Sequence, residues 1–64
     1  MLSDYEIKRL ARIKFEKGES WNNPDKSSIE KICRRDQYAE WVLGCIRNYV
    51  GSNREDMERR LLNI

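Results

Sequence analysis

The sequence predicts an all-α fold, a small bundle of four short helices packed around a central one. Three observations carry this expectation. A capping-box pattern, Ser followed three residues later by Glu, opens a helix at Ser3–Glu6, Ser27–Glu30 and Ser52–Glu55. The stretch Asp36–Val50, DQYAEWVLGCIRNYV, is the most apolar run in a largely charged chain and has helical period. Gly18–Ser27, GESWNNPDKS, is the one real loop, since Asn-Asn-Pro-Asp is turn chemistry and Pro24 keeps Asn23 out of the helical region.

The first helix is expected over residues 4–17, with Ser3 as N-cap and Gly18 as the stop. Leu2 precedes the cap, where it can staple onto Ile7. Ile7, Leu10, Ala11 and Phe15 fall within roughly 140° on a helical wheel, enough for a core face. Lys14 lies inside that arc and is expected to snorkel from its edge. Trp21, in the loop, is expected to be tucked against the helices, because a small core needs large side chains.

The second helix is expected over 28–35, with Ile29, Ile32 and Cys33 on one face. The central helix should follow over 37–50. The two apolar faces point about 100° apart, too far for one straight helix against one core. A break is therefore expected at Arg34–Asp36, with Asp36 as the new N-cap. The last helix should run over 53–63, after Gly51 ends the central helix, with Met57, Leu61 and Ile64 on one face. The three helix starts are similar, but the residues between them do not match, so the chain is no repeat.

The central helix carries two seams. Ala39, Leu43, Ile46 and Val50 form one, with Val42 beside it. Tyr38, Trp41, Cys45 and Tyr49 form a second, aromatic one, and together they make about 200° of the helix apolar, twice what a surface helix needs. The second seam is either covered by the other helices or turned toward a partner. Gly44, opposite the first seam, is either a tolerated solvent-side glycine or a place where another backbone approaches.

Composition bounds the chemistry. Sixty-four residues form one domain with a marginal core, 1–64. The 13 basic and 11 acidic residues are interspersed and leave a net charge of only +2, which excludes an acidic nucleic-acid mimic and does not support a strongly basic binder. There is no His, so the commonest general base and metal ligand are missing. Cys33 and Cys45 sit on apolar faces as small packing residues, and two cysteines alone build no zinc site. Carboxylate pairs such as Asp36 with Glu40 and Glu55 with Asp56 adjoin no pocket-forming element, and there is no Gly-rich phosphate loop. No enzyme, metal or cofactor is expected. With so few cysteines, no signal peptide and no membrane-spanning run, the expected compartment is the reducing cytoplasm.

The function expected is non-catalytic binding to another protein, with self-association as a homodimer. The surface would be Tyr38, Trp41, Cys45 and Tyr49 rimmed by Arg34, Arg35 and Arg47, an apolar centre with a charged rim. By analogy of size alone, such chains, starting directly at Met1, are typical of accessory or inhibitory proteins, including those of phages and mobile elements. The alternative is a nucleic-acid-binding regulator that uses Lys8, Arg9 and Arg12 on the first helix and Lys31, Arg34 and Arg35 on the second. A helix-turn-helix register fits poorly, because its turn glycine should fall at Leu43 and Gly44 comes one place late.

Overall fold

The computed structural model describes residues 2–19, 21 and 34–63. Among them the chain is all-helical, with three helices: α1 (Asp4–Glu16), α2 (Arg35–Arg47) and α3 (Gly51–Leu62). The expected helix 28–35 falls almost wholly outside the described residues, as do the Ser27–Glu30 box, Ile29, Ile32 and Cys33. The described architecture is thus three helices rather than four around a centre.

α1 forms as its sequence dictates. The Ser3 hydroxyl accepts from the Glu6 amide and the Glu6 carboxylate accepts from the Ser3 amide, which closes the capping box. At the other end Gly18 adopts φ +74°, a left-handed conformation that glycine takes at little cost. Ile7 and Ala11 are fully buried, and Leu2, Leu10 and Phe15 pack half-buried against them.

The borders of α2 and α3 are shifted. α2 begins at Arg35, so Asp36 stands in the first turn rather than at the cap, and extended Arg34 is the N-cap with no side-chain bond to the helix end. It stops at Arg47, where the Asn48 and Tyr49 amides bond to the carbonyls of Cys45 and Ile46 and tighten the last turn. Gly51 consequently opens α3 instead of closing α2. It has φ +59°, and extended Val50 holds the N-cap position. Ser52 is already inside the helix and forms no capping box. Val50 leaves the first seam and stands 76% exposed.

The core is built mainly on α2. Tyr38, Ala39, Val42, Leu43 and Ile46 are buried against Ile7 and Ala11 of α1, Met57 and Leu61 of α3, and Trp21. α2 packs principally on α1, and the two run antiparallel: Asp4 meets Arg47 at one end and Glu16 meets Arg35 at the other. α3 meets α1 in the same chain order, the beginning of α1 against the first half of α3 and the end of α1 against its C-terminus. Arg54, in the first turns of α3, donates to the Leu2 carbonyl at 3.4 Å, and one turn further on the Glu58 carboxylate accepts from the Leu2 amide at 3.1 Å and from Arg54 Nε at 3.1 Å. At its end Lys14 Nζ donates to the Asn63 carbonyl at 2.9 Å. Lys14 therefore does not snorkel. It is 3% exposed, with its ammonium held against the negative end of α3.

Candidate protein-docking face on α2

The outward surface of α2 is defined by where its charges go. All four charged residues of the helix pair with α1. Arg47 bonds Asp4, Glu40 bonds Lys8, Asp36 accepts from Arg12 Nε at 3.0 Å, and Arg35 bonds Glu16. The α1 partners recur every four residues, along one stripe of that helix. Their signs run minus, plus, plus, minus, and α2 answers with the opposite sign at each rung. The Glu16 carboxylate, as hydrogen-bond acceptor and neighbouring charge, raises the Arg35 guanidinium above its ordinary pKa.

What remains outward between Gln37 and Tyr49 is an arc without charge. Gln37, Gly44 and Asn48 are exposed, while Trp41, Cys45 and Tyr49 are half-buried. Glu40 and Arg47 flank this arc on the α1 side, and exposed Arg34 lies at its N-terminal edge. Among the described residues, a Cβ added at Gly44 would meet nothing within 4 Å, and Gly44 itself is exposed.

The aromatic seam is divided by the fold. Tyr38, expected on the docking surface, is 5% exposed and turns inward. Its ring stacks at a tilt on Phe15, with centroids 5.6 Å apart, and its hydroxyl accepts from the Trp21 amide at 2.9 Å. Burial raises the Tyr38 phenol above its ordinary pKa, and the bond from the Trp21 amide opposes part of that rise. Trp41 stands edge-on to Trp21, with centroids 5.4 Å apart and planes 77° apart, and keeps part of its ring at the surface. Trp21 itself is 2% exposed, with its indole N–H donating to the Met57 carbonyl at 3.4 Å, the anchor expected of it.

The basic residues of the alternative reading are mostly engaged. Lys8, Arg12 and Arg35 each hold a carboxylate across the α1–α2 seam. Arg9 and Arg34 are exposed, and Lys31 lies outside the described residues. Of the expected partner rim, Arg35 and Arg47 are held by Glu16 and Asp4 yet keep about half their side chains exposed, 51% and 58%.

Among the described residues no cluster of three or more Cys, Asp or Glu side chains is placed to hold a metal ion, and no helix is long and apolar enough to cross a membrane. A hollow lined by Arg59, Arg60, Leu62 and Asn63 at the end of α3 is an open depression rather than an enclosed site. The chain matches no protein-family model, no curated protein and no solved structure.

The sequence pattern does not distinguish two members of the arc, Gln37 and Asn48, because polar residues on a wheel read as plain solvent face. The signal was present in another form. Charges at 4, 8, 12 and 16 on α1 have opposite-sign partners at 47, 40, 36 and 35, in the descending order of an antiparallel pair.

Proposed function

We propose that this chain is a small non-catalytic binding protein that docks another protein through the outward arc of α2. One observation carries the reading: every charge on α2 is drawn toward α1, and the opposite arc is left uncharged, with Trp41, Cys45 and Tyr49 partly exposed on it. Interface centres are depleted in charge and enriched in aromatic residues, with polar and charged groups at the rim. Trp41 is the anchor, and Arg34, Glu40 and Arg47 are the rim. An accessory or inhibitory role suits a chain that offers such a surface.

Comparative capture tests this. Immobilised wild-type protein and a Gly44→Glu variant are exposed to nuclease-treated extract of the source cells. A protein retained by the wild type and lost with Gly44→Glu supports the reading, because the substitution puts a charge at the middle of the arc, on an exposed position whose Cβ would meet none of the described residues. Identical retention by both sinks it. Binding that appears only when nucleic acid is left intact, and that weakens steeply with salt, would favour the nucleic-acid alternative.

A further inference from the structure

The chemistry of the α2 arc identifies its occupant. In heptad terms the arc has a seam of Gln37, Trp41, Gly44 and Asn48, at successive spacings of four, three and four, opposite the face that α2 buries in its own domain. Glu40 and Arg47 lie one heptad apart on the same flank of that seam. Their side chains stay 63% and 58% exposed while they hold Lys8 and Asp4, so each has room for a second ionic partner.

We propose that this face binds a second copy of the chain, α2 against α2 in antiparallel orientation about a two-fold axis; the proposal rests on the reading of the arc as a docking face. When two identical helices pack antiparallel, the same flank of each helix meets. Glu40 of one copy then faces Arg47 of the other, and the two-fold repeats the pair with roles exchanged. The bridges extend the existing ladder into the chain Lys8–Glu40–Arg47–Asp4 across the two copies, with signs alternating throughout. A parallel pairing would set Glu40 opposite the flank that holds Cys45 and would gain no ion pair. The antiparallel register also matches sizes. Trp41 of each copy lies over Gly44 of the other, where the open surface receives an indole, and Gln37 lies beside Asn48, amide to amide. Large on small, donor beside acceptor and plus against minus recur in one register, which is self-complementarity.

Charge exchange tests the orientation. Mass by light scattering is followed for the full chain from about 1 µM to about 1 mM. The wild type is expected to pass from monomer to dimer in that range. Glu40→Arg alone sets Arg against Arg twice, and Arg47→Glu alone sets Glu against Glu twice. Each should weaken the dimer by about tenfold or more. An equimolar mixture of the two variants restores opposite charges at both bridges and should recover a mixed dimer at close to wild-type affinity. Gly44→Glu should stay monomeric throughout while retaining a full helical circular-dichroism spectrum. A mixture that does not recover, or a Gly44→Glu protein that dimerises like the wild type, overturns the proposal. A wild type that is monomeric at about 1 mM also overturns it, while the docking face itself still stands if Gly44→Glu abolishes capture of a different protein.

Discussion

The ammonium of Lys14 and the carbonyl of Asn63 are 2.9 Å apart, at the joint between the C-terminal ends of α1 and α3. With Glu19 Oε2 at 3.9 Å, the cation has an acceptor and a counter-charge in a place that water hardly reaches. Lys14→Met keeps the aliphatic stem and removes the donor, which leaves the carbonyl unpaired. It should lower stability by ~1–3 kcal/mol in urea unfolding, and an unchanged midpoint would show that the bond contributes nothing net. No wheel reveals this arrangement, because the acceptor comes from a residue 49 positions away. What the wheel gives correctly is the position of Lys14 inside the buried arc. Tyr38 makes a second prediction at this scale. Its folded-state pKa is raised above the ordinary 10.0, so the folded chain holds the phenolic proton more tightly than the unfolded chain does. The stabilisation is therefore complete below pH 10 and is lost as the pH rises above it. Tyr38→Phe, which does not titrate, should show a shallower alkaline loss of stability than the wild type. Parallel alkaline limbs would contradict the sign.

Helix starts and stops were legible where backbone and side chain agree. Ser3 is extended, at φ −74° and ψ 164°, as an N-cap must be, and Gly18 is left-handed. At α3 the same Ser-x-x-Glu pattern fails, because the extended residue is Val50, at φ −133° and ψ 158°, two places before Ser52. A capping box requires that backbone conformation as well as the two side chains, and only the first is hidden from sequence. Two glycine substitutions separate the two uses of this residue. Gly51→Ala forces a Cβ into the left-handed region and should destabilise by ~1–2 kcal/mol. Gly44→Ala adds a methyl to open surface on a regular helix and should stabilise the monomer by ~0.5–1 kcal/mol. Both are read from thermal or urea midpoints at a concentration where the chain is monomeric. A loss of stability in Gly44→Ala would mean that the arc is closed by the chain's own packing. The rungs of the α1–α2 ladder are largely exposed, and each adds little to stability. Their consequence is directional: they fix the antiparallel register, and by using up the charges of α2 they leave its far side neutral.

At the scale of the molecule, closure depends on Trp21. α1 and α2 share the larger interface, and α3 packs more thinly on both. Trp21 links α2 and α3 with its amide on the Tyr38 hydroxyl and its indole N–H on the Met57 carbonyl. A domain of this size has ~3–10 kcal/mol of stability in total, at ~0.05–0.15 kcal/mol per residue. Truncating a buried tryptophan costs ~3–5 kcal/mol, so Trp21→Ala should remove a large share of that stability. Trp41 sits against the same indole but keeps part of its own ring in solvent. Trp41→Ala should therefore cost only ~1–2 kcal/mol and leave a folded monomer. The contrast between the two decides more than either value. Both tryptophans belong to the aromatic cluster that caps one side of α2, and the sequence alone does not rank them, since one lies in a loop and the other in the most apolar helix. Folding ranks them: the loop residue becomes the anchor, and the helix residue is left at the boundary. Urea unfolding followed by circular dichroism measures both on one scale. If Trp41→Ala costs as much as Trp21→Ala, the indole of Trp41 is core, and the arc loses the side chain that would anchor a partner.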